Sequence, residues 1–145
     1  MLETNMDNYS TFNAGPWSEM ANHVFELGSL RGSGKLFLSE RLNSDGAEIS
    51  LNRIEAGQSV PFLHRHSEHE EIYIVVSGQG EFWIDEQCLP LVEGTAVRVA
   101  PAGVRCLRAS KQQALNFICV QAVSGTLKSR NVSDGQLVAG TPVWN

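Results

Sequence analysis

Three of the four histidines fall within six residues, and acids follow at once: His64-Arg65-His66-Ser67-Glu68-His69-Glu70-Glu71. Imidazole and carboxylate are common ligands of divalent metals. In an extended strand residues i and i+2 share a face, about 6.6–6.8 Å apart along the backbone. His64 and His66 can then aim two rings at one point. A helix would set them about 200° apart around its axis, so a shared metal demands the extended form. The residues that follow support it. Glu71-Ile72-Tyr73-Ile74-Val75-Val76 is β-branched and aromatic, and Ser77-Gly78-Gln79-Gly80 breaks it. Glu70 and Glu71 point to opposite faces of such a strand, so only one can join the imidazoles. The plainer reading, a solvated His/Glu loop, stays open on this segment alone.

The elements that must position these residues read as short strands split by turns. The spans are Leu36–Leu42, Ala47–Ile54, Val60–His66, Glu71–Val76, Glu81–Ile84, Cys88–Val92, Ala96–Ala100, Arg105–Arg108 and Ala114–Val123. Asn43-Ser44-Asp45-Gly46, Glu55-Ala56-Gly57, Glu93-Gly94 and Pro101-Ala102-Gly103 punctuate them. Evenly spaced short strands with Gly/Pro turns indicate an all-β sandwich, jelly roll or barrel. No amphipathic helix stands out, and no repeat of solenoid length is visible. Residues 1–30 read as an N-terminal arm with at most one short strand, around His23–Leu27. Residues 31–123 form the barrel. Residues 124–145 are a return segment or a tail.

Composition narrows the partners. A chain of 145 residues is one domain with room for a real core. The excess of 16 acids over 11 bases argues against nucleic acid. No run approaches the roughly 18 apolar residues of a membrane span. The start, Met1-Leu2-Glu3-Thr4-Asn5-Met6-Asp7, carries acids and no apolar stretch, so it is not read as a signal peptide. Three scattered cysteines, Cys88, Cys106 and Cys119, suit a reducing compartment. Together these point to a cytoplasmic location.

At this point the chain resembles the cupin superfamily. Its first motif is similar to Gly57-Gln58-Ser59-Val60-Pro61-Phe62-Leu63-His64-Arg65-His66, then Glu70-Glu71, then Gly78. Its second is similar to Gly94-Thr95-Ala96-Val97-Arg98-Val99-Ala100-Pro101-Ala102-Gly103-Val104-Arg105-Cys106. The resemblance implies a double-stranded β-helix, the jelly-roll barrel of a small single-domain cupin. It implies a divalent metal (zinc, iron, manganese or nickel) on His64, His66 and Glu71, the glutamate being chosen by its spacing to Gly78. The family's fourth ligand, a histidine, falls on Cys106, and the asparagine often found four residues later falls on Ser110. Both are departures.

Cys106 has two readings. As a thiolate it completes a His₂-Glu-Cys tetrahedron, which zinc accepts. As a bystander it is a small hydrophobe and leaves two histidines and a carboxylate with open positions, as in non-haem iron oxygenases. Arg108 shares a strand face with Cys106 by the period of two. Inside the barrel it would offer a planar fork to a carboxylate or phosphate; at a strand end it would turn to solvent. Tyr73 and Trp83 neighbour the ligands and would wall a substrate pocket or pack in the core. Glu70 is expected in solvent or on an arginine, and His69 in an exposed loop or as a substitute ligand.

The functional expectation is a small metal-binding cupin acting on a small organic molecule, an anion if Arg108 lines the pocket. The chemistry would be of oxygenase, isomerase or lyase type. The alternatives are a non-catalytic ligand-binding module and a structural dimer with a residual metal site. A homodimer is expected because barrel edges invite pairing, with Phe12, Trp17 and Phe25 of the arm lying across the partner.

Overall fold

The structure, a computed structural model, describes residues 4–6 and 8–145. Short strands β1 (Thr4–Asn5) and β2 (Ser10–Thr11) pair, a 3-10 helix covers Trp17–Asn22, and β3 (Val24–Leu27) and β4 (Leu30–Ser33) form a hairpin. The barrel strands follow: β5 (Lys35–Phe37), β6 (Glu48–Ile54), β7 (His69–Ser77), β8 (Gln79–Ile84), β9 (Gln87–Val92), β10 (Ala96–Val99), β11 (Arg105–Ala109) and β12 (Leu115–Val123). One helical turn, α1 (Ser39–Leu42), links β5 to β6.

Two antiparallel sheets make the double-stranded β-helix. One runs β10-β7-β12-β6-β5 and the other β11-β8-β9. The chain between β6 and β7 extends the second sheet through isolated bridges, Ser59 to Arg108 and His64 to Arg105. Alternation puts one row from each strand between the sheets. Tyr73, Val75, Phe82, Leu91, Val99, Leu107, Leu115 and Phe117 fill that space, with Phe82 and Leu115 fully excluded from solvent. The Tyr73 and Phe82 rings meet edge to face, 4.9 Å between centroids, a geometry the ring quadrupoles favour.

One turn requires its glycine. Gly78 joins β7 to β8 at φ +87°, and a Cβ there would lie 1.8 Å from the Ala114 carbonyl oxygen. The tight reversal holds the end of β7 against β12, where Asn116 Nδ2 donates to Ser77 Oγ at 2.8 Å.

Most expected strands appear within a residue or two of their bounds. The span Leu36–Leu42 does not: β5 ends at Phe37, and the chain turns helical until Asn43 stops it in the left-handed region. The span Val60–His66 is reduced to isolated bridges. Pro61 has no N–H to give a ladder, and residues 61–62 bend away before His64 rejoins β11. The arm carries more than the single strand expected around His23–Leu27: β1, β2 and the 3-10 helix precede β3, which pairs with β4. It packs on its own barrel. Met20 is buried, Ser10 Oγ donates to the Leu42 carbonyl at 2.6 Å, and the Arg41 guanidinium lies 5.1 Å from the Phe12 ring centre. Residues 124–145 form no helix or strand and are exposed.

Candidate metal centre

The segment that carries the histidines is tied to β11 by its backbone. His64 and Arg105 exchange both amide hydrogen bonds, at 3.3 and 3.2 Å, so their side chains stand together on one face. His66 is fixed two residues on, its N–H donating to the Pro101 carbonyl at 2.9 Å. The carboxylate comes from the other sheet. In β7 the buried positions are Glu71, Tyr73 and Val75, so Glu71 points inward and Glu70 outward. Glu70 meets Arg98 at 3.3 Å on the outside, as the strand period requires.

His64, His66 and Glu71 converge. His64 Nε2 lies 3.4 Å and His66 Nε2 3.3 Å from the same oxygen, Glu71 Oε1. Among the described residues these three form the group of His, Cys, Asp or Glu that could hold a metal, each ligand atom within 4.8 Å of the others. Metal bonds of about 2.0–2.2 Å at tetrahedral angles separate ligand atoms by roughly 3.3–3.5 Å, so the spacing suits a divalent ion. The donor set suits it too: His66 Nε2 is buried and has no hydrogen-bond partner, a costly state for a polar atom that a metal bond would relieve.

Glu71 is held from three further sides. The Arg105 Nη2 donates to Oε1 at 2.6 Å and the Tyr73 hydroxyl to the same oxygen at 2.7 Å. The Cys119 thiol donates to Oε2 at 3.1 Å. Burial alone would raise the Glu71 carboxyl, but the His64 imidazole, the Tyr73 hydroxyl, the Cys119 thiol and the Arg105 charge outweigh it and hold it far below the usual carboxylate range. Burial and then the Glu71 charge push both the Tyr73 hydroxyl and the Cys119 thiol well above their ordinary values, so both stay protonated donors. Burial is also the main force that lowers the His66 imidazole, favouring the neutral form a metal needs.

The structure does not bring Cys106 or Arg108 to this cluster. On β11 the buried residues are Arg105, Leu107 and Ala109, so the shared face of Cys106 and Arg108 is the outer one. Cys106 Sγ points to the Val60 carbonyl at 3.2 Å. Arg108 ion-pairs with Glu81 at 2.6 Å with its side chain 62% exposed. In their stead Arg105 enters the barrel, fully buried, its Nη1 donating to the Gly103 carbonyl at 2.6 Å. Tyr73 is buried beneath the site as a hydrogen-bond donor rather than lining an open pocket. His69 starts β7 and its Nδ1 lies 2.8 Å from Gln121 Nε2.

Three inward residues escaped the sequence reading. Arg105 shares the period of Leu107 and Ala109, a signal present in the alternation. Cys119 shares that of Leu115 and Phe117 in the same way. Lys35 sits inside the edge strand β5, its Nζ donating to Asn52 Oδ1 at 3.0 Å and Ser50 Oγ at 3.3 Å and lying 4.9 Å from the Phe37 ring centre. Burial lowers its ammonium, while Cys119, Glu71 and Glu48 push the other way. Outside the cluster, an open depression of about 490 Å³ is lined by Arg65, His66, Ser67 and Ala102. Among the described residues no helix is long and apolar enough to cross a membrane.

Comparison with known proteins agrees with this fold. Residues 50–121 match the model of the cupin domain. A cupin protein from Bacteroides fragilis is 34% identical, with a TM-score of 0.70 over 79% of this chain and 98% of that one. A DMSP lyase from Ruegeria pomeroyi is 22% identical, with a TM-score of 0.55 over 66% of this chain and 48% of that one. A putative sugar phosphate isomerase from Acidithiobacillus ferrooxidans is 20% identical, with a TM-score of 0.54 over 61% and 57%. The last two likenesses are of fold. No curated protein matches the chain. With both motifs on one β-helix and a third of the aligned residues shared with a cupin along nearly that protein's whole length, the chain belongs to the cupin superfamily.

Proposed function

We propose that this cupin binds a divalent cation through His64, His66 and Glu71 and acts on a small organic molecule beside it. The observation that carries the reading is the convergence of both imidazole Nε2 atoms on one oxygen, Glu71 Oε1, within 3.4 Å. Two histidines and one carboxylate leave coordination positions open. A cation held there would supply Lewis acidity or a redox centre to a bound substrate, for chemistry of oxygenase, isomerase or lyase type. Zinc, iron, manganese and nickel all accept this donor set.

The chain's own residues prepare the site. Tyr73 and Cys119 hold the carboxylate by one donor on each oxygen, which fixes its rotation. The backbone pair of His64 with Arg105 and the tie from His66 to Pro101 fix the two rings. Glu71 and Arg105 are both buried, which strengthens the charge interaction between them. Elemental analysis of protein purified without added metal tests the reading. About one equivalent of a transition metal, lost in His66→Ala, is expected; a chain that takes up no zinc, iron, manganese or nickel at micromolar concentration overturns it.

One observation favours a second reading, a structural dimer with a residual metal site. Arg105 already neutralises Glu71, so the barrel interior is charge-balanced with no metal. A homodimer is also proposed. The edge strand β9 exposes Leu89 and Val92, and an open strand edge favours pairing. Light scattering that finds a monomer at micromolar concentration refutes it.

A further inference from the structure

The geometry points to Lys35 as a nucleophilic amine that captures small aldehydes as an imine, at a site separate from the candidate metal cluster. Three strands build the site. Lys35 of β5 stands opposite Asn52 of β6, and Ser50 of β6 stands between Phe37 of β5 and Cys119 of β12. Directly opposed residues share a face of a sheet, so these side chains all belong to the barrel's inner face. Ser50, Asn52 and Cys119 are buried, whereas Lys35 is half-buried. Strand β5 is the last of its sheet, and the part of Lys35 that solvent reaches gives a small molecule its approach.

The polar contacts suit an uncharged amine. Lys35 Nζ donates to Asn52 Oδ1 at 3.0 Å and to Ser50 Oγ at 3.3 Å. A neutral amine has two N–H bonds and a lone pair, whereas an ammonium has three N–H bonds and nothing to attack with. Among the described residues Nζ meets no third acceptor and no carboxylate at ion-pair distance; the Phe37 ring centre is 4.9 Å off. The nearby carboxylates are held by other groups. Glu48 accepts from the Ser39 amide at 3.1 Å and from the Ser39 hydroxyl, and Glu71 is taken by Arg105. Burial therefore lowers the ammonium, against the pull of Cys119, Glu71 and Glu48, the condition that makes a lysine a nucleophile. The partners also serve the reaction. Asn52 Nδ2 donates to the Ser50 carbonyl and to Ser50 Oγ, both at 3.0 Å, which turns Oδ1 toward Lys35. Ser50 Oγ thus accepts from two groups, and none of the described residues takes its own proton. The Nζ lone pair adds to the aldehyde carbon. The carbonyl electron pair moves to its oxygen, which takes the Ser50 hydroxyl proton, and one N–H proton returns to Ser50 Oγ. The C–O bond then breaks as water leaves with the second N–H proton, and the imine remains. No oxidant or reductant is consumed.

The probe is acetaldehyde with cyanoborohydride, added to the full chain at about pH 7, where exposed lysines are almost wholly protonated. The hydride traps the imine as an ethylated amine, and peptide mass mapping reads it lysine by lysine. Lys111 and Lys128, both exposed, are the internal controls. Lys35 is expected to be ethylated at least about tenfold faster than either, and its rate should reach its plateau at a lower pH than theirs. Asn52→Asp sets a carboxylate beside Nζ, which favours the ammonium. It should slow Lys35 about tenfold and leave Lys111 and Lys128 unchanged. Ser50→Ala removes the proton donor and should slow Lys35 as well. Lys35 ethylated no faster than Lys111 and Lys128, or at an unchanged rate in Asn52→Asp, overturns the proposal. If Asn52→Asp does not fold, the comparison among the three lysines of the wild type decides alone.

Discussion

Arg105 Nη2 lies 2.6 Å from Glu71 Oε1, with the arginine wholly buried and the glutamate 5% exposed. The two side chains come from opposite sheets, β11 and β7, so this ion pair joins the halves of the barrel across its interior. Removing water from two charges is expensive, and a buried pair is seldom a net source of stability. Breaking it is another matter, since the survivor is left buried and uncompensated.

Glu71→Gln is accordingly expected to destabilise the metal-free protein by about 3–5 kcal/mol, and Arg105→Met by a similar amount. The double variant should cost far less than the sum, because neither charge remains. Denaturant unfolding of the four proteins closes the cycle. Additivity within about 0.5 kcal/mol would mean that the two groups do not interact.

The same pair sets a pH dependence. The folded Glu71 carboxyl lies far below its ordinary value of 4.5. Its stabilising contribution is therefore complete above that value. It is lost as pH falls from there toward the folded value, because the unfolded chain takes up the proton first. The stability gap between the wild type and Glu71→Gln should narrow below about pH 4.5, by roughly 1.4 kcal/mol per pH unit at most. Thermal unfolding of both proteins between about pH 6 and pH 3 reads it. A gap that is flat or widens on acidification contradicts the assignment.

The fold was legible in the sequence because a β-helix is written in alternation and turns. Glu48–Ile54 and Leu115–Val123 appear nearly as read. The candidate cluster was legible for the same reason, His64 and His66 sharing a face and Glu71 falling on the buried side of β7. In the second motif counting puts Cys106 at the family's ligand position and leaves its role open, whereas alternation decides the face: Leu107 and Ala109 mark the inward side and Arg105 shares it. Lys35 was hidden for a different reason: an isolated lysine at the start of a short edge strand looks like any exposed one, and Ser50 and Asn52, its partners, come from a different strand.

Gly78 offers a test of the fold apart from the site. Gly78→Ala meets the Ala114 carbonyl at 1.8 Å and a φ of +87°. Gly57 has a similar φ, +77°, but no atom within 4 Å of the added Cβ. Strain alone should cost Gly57→Ala about 1–2 kcal/mol, and the backbone clash should raise the cost for Gly78→Ala beyond about 3 kcal/mol. At about 2–4 °C per kcal/mol for a chain this long, the melting temperatures separate clearly. Equal losses would show that β7 and β12 are not packed as described.

Metal titration tests which side of β11 faces the proposed centre. Cys106 Sγ faces the Val60 carbonyl and is expected to be a bystander, so Cys106→Ala should leave the affinity for zinc within about twofold, a change under 0.5 kcal/mol. His66→Ala leaves two protein ligands and should lower it at least about a hundredfold, since the loss of a metal bond exceeds that of an outer hydrogen bond. Arg105→Met removes the cation that holds Glu71 Oε1, and should raise the affinity if the variant folds. Calorimetric titration of zinc into the metal-free proteins measures all three. A loss in Cys106→Ala equal to that in His66→Ala would put the thiolate in the coordination sphere, which requires β11 to present its other face to the barrel.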